Sequence, residues 1–304
     1  MTILYKSTSA RGAVWATLLA ELAPDLTFRQ WPDTGDPREV TYLVAWQPPD
    51  DLMQFPNLNV LFSVGAGADQ FDYRRLPPAL PVVRMVEPGL TRGMVEYITW
   101  SVLGLHRGMP RYLHQQRWLE QPVRAAAHCR VGVMGLGELG TAVLQPLVQF
   151  GYPCAGWSRT PKNLPGVHRY VGEAQLPDFL ARTDILVCLL PLTAATENIL
   201  NAELFSQLPH GAGLVHAGRG RQLHQLDLLL ALERQQLSAA VIDVTDPAPL
   251  PQGHPFWHHP AIWLTPHSAS QPQAESAVRA LLDNIRRFER GEPMHGLVDR
   301  ARGY

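Results

Sequence analysis

The sequence predicts an α/β protein of two domains, each with a parallel β-sheet covered by helices, and a cleft between the domains. A length of 304 residues exceeds the usual size of a single hydrophobic core. Short apolar strands alternate with helical segments along nearly the whole chain, which is typical of parallel strands joined by crossover helices. A glycine-rich stretch, Cys129 to Gly140, lies where one strand runs into a helix.

The charge composition argues against large anionic partners. Lys and Arg total 26, Asp and Glu total 27, and charged residues make up only 17% of the chain. No basic excess is present to neutralise nucleic acid or an anionic membrane surface, so a small-molecule ligand is expected. The three cysteines, Cys129, Cys154 and Cys188, lack CxxC spacing and lie in predicted strands. Buried reduced thiols, no metal site and a cytoplasmic location are the favoured interpretation.

The first domain opens with short apolar strands separated by turns and helical segments. The apolar run from Ala13 to Ala20 follows Lys6 and Arg11 and resembles a short signal peptide. Glu21 comes directly afterwards and no small-residue cleavage site is clear, so a strand followed by a helix is preferred. No apolar run approaches the ~20 residues needed to cross a bilayer. The predicted strands are Ile3 to Tyr5, Tyr42 to Trp46, Val60 to Val64 and Val82 to Val86.

A long helix over Thr91 to His106 is predicted to lead out of the first domain, because apolar side chains recur along one face. The following strands predict a second, doubly wound domain, in which ligands bind beyond the carboxyl ends of the strands. Helices are predicted over Leu226 to Leu237 and over Gln273 to Arg290, the latter closed by Gly291. The strands predicted here are Val131 to Met134, Cys154 to Trp157, Ile185 to Leu190, Gly213 to His216, Ala239 to Val244 and Ala261 to Leu264.

Gly135, Gly137 and Gly140 have the GxGxxG spacing of a dinucleotide-binding turn. Gly135 suits the tight turn, Gly137 lets the backbone approach a pyrophosphate, and Gly140 permits close packing of helix on strand. The helix predicted over Thr141 to Phe150 presents free N–H groups to the phosphates. Glycine-rich turns are common, so the interpretation depends on the flanking strand and helix, which together predict a βαβ unit.

The residues beyond this motif indicate which dinucleotide is bound. NAD enzymes usually have an acidic residue about 20 positions further on, where it binds the ribose. This chain has Ser158 there, followed by Arg159. A carboxylate would repel a 2′-phosphate, whereas serine and arginine accommodate one. NADP(H) is therefore predicted over NAD(H), the alternative being that Arg159 is only an exposed surface residue.

Arg219 and His267 each stand just beyond the carboxyl end of a predicted strand. A guanidinium group holds a carboxylate through two hydrogen bonds, and an imidazolium group donates the proton that accompanies hydride transfer. At the nicotinamide end of a dinucleotide site, this pair suits reduction of a carbonyl group. Because the chain has 12 histidines, position rather than residue type distinguishes His267.

Taken together, these motifs resemble those of the D-isomer-specific 2-hydroxyacid dehydrogenases over nearly the whole chain. They occur in the family's order and spacing. The chain most resembles the A-type glyoxylate/hydroxypyruvate reductases within that family, through VAWQPP and SVGAGAD. The segments that carry the resemblance are GLGELG, LLPLTAATENIL from Leu189 to Leu200, AGRG from Ala217 to Gly220, Asp243 with its proline-rich loop, TPH from Thr265 to His267, VAWQPP from Val44 to Pro49 and SVGAGAD from Ser63 to Asp69.

The resemblance implies a role for each matching residue. Arg219 would bind the substrate's carboxylate and carbonyl, His267 would be the general acid and base, and Asp243 would hold the nicotinamide carboxamide. It implies Rossmann-like and flavodoxin-like domains: residues 1–98 plus 271–304 for the substrate and residues 99–270 for the dinucleotide. A homodimer built on the cofactor domains is also implied. The other implied cofactor contacts are Gly135, Gly137, Glu138, Leu139, Gly140, Ser158, Arg159, Leu190, Pro191, Thr196 and Ala217.

Substrate contacts are expected from two segments of the first domain as well as from Arg219. Gly65, Ala66 and Gly67 follow a strand and can turn successive N–H groups toward a small carboxylate, as an anion-binding nest. A plain glycine turn is the alternative. Trp46 either caps the substrate or fills the core.

Besides Ser158 with Arg159, a second position departs from the usual pattern. By register, Ala248 stands where the family has the glutamate that pairs with the catalytic histidine, and Asp246 lies two residues earlier. Two functions therefore compete: NADPH-dependent reduction of a small 2-oxoacid such as glyoxylate or hydroxypyruvate, and dinucleotide sensing with weak or no turnover. Arg219 and His267 favour the reductase, whereas Ala248 favours the sensor.

Overall fold

The structure, a computed structural model, describes residues 1–304 except 114, 119 and 121. The chain divides into two compact units: unit 1 comprises Met1–Leu90 and Gln271–Tyr304, and unit 2 comprises Thr91–Ser270. The division falls earlier than the predicted boundary at residue 98. Helix α2, Pro88–His106, explains the difference, because Met94 and Ile98 on this helix pack into the core of unit 2.

Unit 1 is built on a parallel sheet with the flavodoxin-like strand order β2-β1-β3-β4-β5. Its strands are β1 Thr2–Lys6, β2 Thr27–Gln30, β3 Val40–Ala45, β4 Val60–Ser63 and β5 Val82–Val83. Helices α1, Ser9–Leu22, and α8, Ala274–Glu289, cover one face of the sheet. Phe55 and Phe71, from the long loops that follow β3 and β4, pack against the other face.

Sequence patterning predicted the helices of unit 1 better than its edge strand. The helix predicted over Gln273 to Arg290 is confirmed as α8, which buries Val278, Leu281 and Ile285 in the core. Strand β2 was not predicted. Its sequence, TFRQ, is partly exposed at the edge of the sheet and has no continuous apolar run.

Unit 2 contains a seven-stranded parallel sheet of order β12-β11-β10-β9-β6-β7-β8. Its strands are β6 Val131–Met134, β7 Cys154–Ser158, β8 Val167–Val171, β9 Ile185–Cys188, β10 Ala212–His216, β11 Leu237–Ile242 and β12 Ile262–Leu264. Successive strands are added on one side of β6 and then, from β9, on the other side. This is the Rossmann-like plan, with its topological switch point between β6 and β9.

The helices of unit 2 correct two predicted boundaries. Helix α4 begins at Glu138 rather than Thr141, directly after the glycine turn. Helix α7 ends at Glu233 rather than Leu237, because Gln235 adopts a left-handed conformation, with φ 58°, and the chain enters β11. Besides α2, the helices are α3 Met109–Leu113, α4 Glu138–Gln149, α5 Leu176–Ala181, α6 Ala202–Ser206 and α7 Gln225–Glu233.

The three cysteines are buried and free, as predicted. Burial raises the pKa of the Cys154 and Cys188 thiols to about 12, so both stay protonated at neutral pH. Among the helices that the structure describes, none combines the length and the apolar character that a membrane span requires.

Candidate active site

The glycine-rich loop joins β6 to α4 at the switch point of the unit 2 sheet. Gly135 has a φ of +98°, and a Cβ there would lie 2.8 Å from the carbonyl oxygen of Leu189. A Cβ at Gly140 would overlap the carbonyl oxygen of Gly135, so the first turn of α4 packs directly on the loop. At Gly137 a Cβ would meet no described atom within 4 Å. Open space therefore lies beside Gly137, next to the helix end.

The glycine-rich loop and the start of α4 fit a dinucleotide phosphate. The first N–H groups of α4, including those of Glu138 and Leu139, have no partners within the helix. The positive end of the helix dipole adds to their attraction for an anion. The loop thus combines backbone donors with room for a ligand at the same point.

The end of β7 presents a hydroxyl group and cations. Ser158 is the last residue of this strand, and its hydroxyl donates to the carbonyl oxygen of Thr160 at 2.7 Å. The side chains of Arg159 and Lys162 are exposed. No carboxylate occurs from residue 158 to residue 162. At the position where NAD enzymes have an acidic residue, this chain therefore has a neutral serine with positive charge beside it.

The segment after β9 forms a loop that is tied at both ends. Thr196 Oγ1 donates to the carbonyl oxygen of Pro191 at 2.7 Å. The side-chain amide of Gln222 donates to the carbonyl oxygens of Leu190 and Pro191, at 3.1 and 3.0 Å. Ala217, at the end of the neighbouring strand β10, is buried beside them. Four predicted cofactor residues thus lie together at the carboxyl edge of the sheet.

Arg219 follows β10 with a half-buried side chain, and its Nη1 donates to the carbonyl oxygen of Gly218 at 2.8 Å. Its backbone N–H donates to Oε1 of Gln222 at 2.8 Å. Its carbonyl oxygen accepts a hydrogen bond of 2.9 Å from Nε2 of His216. His216 and Gln222 are both 0% exposed. The main chain of Arg219 is therefore fixed by two fully buried side chains.

The protonation state of His216 follows from these contacts. Burial lowers the pKa of its ring to about 4, so the ring is neutral at pH 7. Because Nε2 carries the proton donated to Arg219, Nδ1 has none. Nδ1 is buried and has no hydrogen-bond partner among the described residues.

Asp243 follows β11 and is 2% exposed. Its carboxylate accepts hydrogen bonds from the Thr265 hydroxyl at 2.6 Å and from the N–H groups of Ser268 and Ala269 at 2.8 and 3.0 Å. The N–H of His267 donates to the carbonyl oxygen of Asp243 at 2.8 Å. His267 has a φ of +54° and an exposed side chain. Asp243 thus braces the whole loop that carries His267, a contribution that the motif resemblance did not indicate.

Tyr97 of α2 extends this network. Its hydroxyl lies 2.6 Å from Oγ1 of Thr265. Since the single hydroxyl proton of Thr265 is donated to Asp243, Tyr97 must be the donor. Burial raises the pKa of Tyr97, which keeps that donor protonated.

The loop after β11 does not supply the family's carboxylate. Ala248 is exposed, and no ion pair joins His267 to an acidic residue in the part of the chain that the structure describes. The carbonyl oxygen of Asp246 accepts a hydrogen bond from the side chain of Gln225. Asp246 also lines a cavity of about 240 Å³ beside the start of α7. Asp246 is therefore held on the α7 side of the loop.

In unit 1, Trp46 follows β3 and is 42% exposed, which rules out the alternative that it fills the core. A Cβ at Gly65 would lie 3.4 Å from its ring, which places Trp46 against the loop after β4. The ammonium group of Lys6 donates to the carbonyl oxygen of Gln47 at 3.1 Å and holds the Trp46 segment to the end of β1.

Ser63 organises the predicted substrate loop. Its buried hydroxyl donates to the carbonyl oxygen of Gly67 at 2.8 Å. The hydroxyl oxygen of Ser63 also accepts hydrogen bonds from the Gly65 N–H at 3.1 Å and from the side chain of Gln70 at 2.9 Å. The Gly65 N–H is thus engaged inside the protein, contrary to expectation, and donation to an anion stays a prediction for the N–H groups of Ala66 and Gly67 only. Neither Gly65 nor Gly67 has a positive φ, so the loop needs no left-handed residue at either glycine.

Sequence reasoning missed four residues that shape these sites: Ser63, Tyr97, His216 and Gln222. Only Gln222 carried a local signal, since it follows Arg219 by three positions, the spacing of a capping box. Tyr97 acts through a contact distant in sequence, with Thr265, whereas Ser63 and His216 contact residues within seven positions that no motif marks. His216 closes the apolar pattern of a strand and looked like one structural histidine among 12.

The chain is similar to known proteins in sequence and in fold. The sequence model of the family "D-isomer specific 2-hydroxyacid dehydrogenase, NAD binding domain" matches residues 99–269. The glyoxylate/hydroxypyruvate reductase A of Yersinia enterocolitica is 38% identical over 314 residues, covering 100% of both chains. The chain belongs to the D-isomer specific 2-hydroxyacid dehydrogenase family. Its motif resemblance is confirmed, and its class is that of pyridine-nucleotide-dependent oxidoreductases.

Two crystal structures from this dehydrogenase family share the fold. A member from Xanthobacter autotrophicus Py2, in complex with NADPH and MES, is 37% identical with a TM-score of 0.95, over 100% of this chain and 99% of that one. An NADPH-dependent glyoxylate/hydroxypyruvate reductase from Sinorhizobium meliloti, in complex with NADP and sulfate, is 34% identical with a TM-score of 0.90, over the same shares. The predicted fold class is therefore confirmed.

Proposed function

We propose that this dehydrogenase uses NADPH to reduce a small 2-oxoacid, such as glyoxylate or hydroxypyruvate, to the D-2-hydroxyacid. One arrangement carries the proposal: Arg219 follows β10 and His267 follows β12, while Asp243, after the strand between them, braces the His267 loop. Relatives named as glyoxylate/hydroxypyruvate reductases, and solved structures that contain NADPH or NADP, support it.

Unit 2 is the proposed dinucleotide-binding unit. Its loop at Gly135 to Gly140 binds the pyrophosphate through the first N–H groups of α4. Ser158 and Arg159 bind the 2′-phosphate, which gives NADPH its advantage over NADH. When bound, the dinucleotide supplies the hydride. A homodimer built on unit 2 and a cytoplasmic location stay predictions from the sequence.

Arg219 is the proposed substrate clamp. Its guanidinium group binds the carboxylate and polarises the neighbouring carbonyl, which makes the carbonyl carbon a better hydride acceptor. In unit 1, the N–H groups of Ala66 and Gly67 are proposed as further donors to a carboxylate, and Trp46 as an apolar cover. Glyoxylate and hydroxypyruvate are the proposed substrates because relatives of this chain are named as reductases of these two acids.

His267 is the proposed general acid. As hydride adds to the carbonyl carbon, the imidazolium donates its proton to the carbonyl oxygen, so that a neutral hydroxyl group forms. The exposed side chain can regain its proton from solvent. Its left-handed backbone conformation is held by the Asp243 carbonyl, so the ring is carried on a fixed support.

A substrate panel tests the proposal. NADPH oxidation by the purified protein is followed with glyoxylate, hydroxypyruvate, pyruvate and a branched 2-oxoacid, each at several concentrations. We expect turnover with glyoxylate and hydroxypyruvate and weak turnover with the branched acid. The competing function, a dinucleotide sensor, gains no support from the comparisons. It would require tight NADPH binding with no oxidation by any member of the panel.

A further inference from the structure

We propose that Gln222 is a positioning residue that joins Arg219, the substrate clamp, to the segment after β9 that contains Leu190, Pro191 and Thr196, called here the dinucleotide loop. The inference rests on the proposed function, because it assigns Gln222 to the support of Arg219. Gln222 itself contacts neither substrate nor dinucleotide in this account. It acts through the backbone of Arg219 on one side and that of Leu190 and Pro191 on the other.

The side-chain amide of Gln222 is almost fully used. Its oxygen accepts the N–H of Arg219 at 2.8 Å, and its nitrogen donates to the carbonyl oxygens of Leu190 and Pro191 at 3.1 and 3.0 Å. Its own backbone N–H donates to the carbonyl oxygen of Arg219 at 3.0 Å. The residue is 0% exposed, so water cannot replace these bonds. One buried amide therefore fixes both segments.

The neighbouring residues are fitted to this amide. A Cβ at Gly218 would overlap Oε1 of Gln222, so the glycine leaves the room that the side chain occupies. Nε2 of His216 also donates a hydrogen bond of 2.9 Å to the carbonyl oxygen of Arg219. If Gln222 is lost, the Arg219 N–H and two carbonyl oxygens in the dinucleotide loop lose their partner together. Both segments are then free to shift.

Gln236 provides a matched control. Its side-chain amide also donates to two backbone carbonyl oxygens, those of Phe205 and Leu208, at 2.8 and 2.9 Å. It precedes β11, whereas the site residues follow the strands, so it lies at the amino edge of the sheet. Removing its hydrogen bonds perturbs the same unit with the same chemistry but does not affect the proposed site.

The experiment compares Gln222→Met with Gln236→Met, since methionine has a similar length and no hydrogen-bonding amide. Tm, the Kd for NADPH and kcat/KM for glyoxylate and for its methyl ester are measured. Both variants should lower Tm, and Gln222→Met should lower it more, because Gln222 is fully buried whereas Gln236 is only partly buried. Gln222→Met should lose about a hundredfold in kcat/KM for glyoxylate, the usual effect of displacing a catalytic group by about 1 Å. It should lose much less for the ester, because the ester lacks the carboxylate that Arg219 binds.

The contrary result is equally clear. If Gln222→Met keeps kcat/KM within about twofold of Gln236→Met, or loses activity equally on acid and ester, Gln222 is not positioning Arg219. Should Gln222→Met fail to fold, Gly218→Ala gives a second test, because the added methyl group displaces the Gln222 side chain. The same selective loss on the acid is then expected, and its absence overturns the proposal.

Failure of the proposed function is recognised separately. If the wild type reduces no 2-oxoacid, the Kd of oxalate for the complex with NADP is measured for the wild type, Arg219→Ala, Gln222→Met and Gln236→Met. Loss of oxalate binding in the Arg219 and Gln222 variants alone supports the inference without turnover. Equal binding by wild type and Gln222→Met overturns it. If the wild type shows no binding that depends on Arg219, both proposals are wrong.

Discussion

The N–H of His267 donates a hydrogen bond of 2.8 Å to the carbonyl oxygen of Asp243, the residue whose carboxylate also accepts the N–H groups of Ser268 and Ala269. His267 has a φ of +54°, a conformation that non-glycine residues adopt only when their surroundings hold them in it. The contacts of Asp243 supply that hold. The geometry of the proposed acid is therefore set by a residue on another strand.

Asp243→Asn should weaken this brace. In this variant an NH2 group replaces one carboxylate oxygen and faces N–H and O–H donors, with which it cannot form hydrogen bonds. Because charge-assisted hydrogen bonds are lost, the free energy of unfolding should fall by about 1 to 3 kcal/mol. Turnover should fall as His267 moves. Thr265→Val removes the hydrogen bond from the Thr265 hydroxyl to Asp243 and keeps the Asp243 carboxylate. This variant should also lower turnover, with an unchanged Kd for NADPH. If Asp243→Asn changes only the Kd for NADPH, Asp243 serves the cofactor and not the loop.

Arg219→Ala and His267→Ala should impair reduction in different ways. Loss of Arg219 removes both carboxylate binding and carbonyl polarisation, so KM should rise and kcat should fall together. Loss of His267 removes the proton donor, so kcat should fall with little change in KM. Steady-state kinetics with NADPH and glyoxylate, under conditions in which hydride transfer limits the rate, measure both. Full turnover by His267→Ala would mean that another group donates the proton.

Ala248→Glu should restore a carboxylate partner for His267. A negative neighbour stabilises imidazolium, so reductase activity should persist to higher pH, and the alkaline limb of the pH–rate profile should move up by about one unit or more. Ala248→Gln is the control, because it adds a similar side chain without the charge. Asp246→Asn should leave the profile unchanged. A downward shift in Asp246→Asn, with none in Ala248→Glu, would identify Asp246 as an existing partner.

The sequence predicted which residues gather at the candidate site better than it predicted the side-chain hydrogen bonds that hold them there. Parallel strands end at one edge of a sheet, so residues after β6, β9, β10, β11 and β12 had to gather there once the strands were recognised. Supports such as the Gln222 bond to Leu190 or the Ser63 bond to Gln70 depend on side-chain direction, which local patterning does not encode. Strand β8 was missed for a related reason: VHRYV is half exposed at the sheet edge and has no apolar run.

His216 predicts a specific dependence of stability on pH. Its pKa is lowered from 6.5 to about 4 by burial, so between these values the unfolded chain binds a proton that the folded chain does not. Stability should therefore rise with pH across this window and be lost as pH falls through it, with a slope of up to about 1.4 kcal/mol per pH unit from this residue. Urea unfolding at several pH values should show a smaller slope in His216→Gln. The exposed His128 gives the control variant His128→Gln, which should keep the wild-type slope. Equal slopes in all three proteins would show that His216 is not buried in its neutral form.

Arg159→Ala should reduce the preference for NADPH. A charge-assisted contact between guanidinium and phosphate contributes about 1.5 to 3 kcal/mol, which corresponds to roughly tenfold to a hundredfold in Kd. The Kd for NADPH should rise by that factor, while the Kd for NADH should stay nearly constant. Arg169, another exposed arginine in the same unit, gives the control variant Arg169→Ala. Equal affinity of the wild type for the two dinucleotides would refute the assignment.

The most direct test of the reductase assignment is the product formed from hydroxypyruvate and NADPH. The purified protein is incubated with both, NADPH consumption is followed, and the glycerate formed is quantified and resolved into its enantiomers. We predict one D-glycerate for each NADPH oxidised, and no glycerate from His267→Ala over the same period. Tight NADPH binding without glycerate formation, or formation of L-glycerate, would contradict the account.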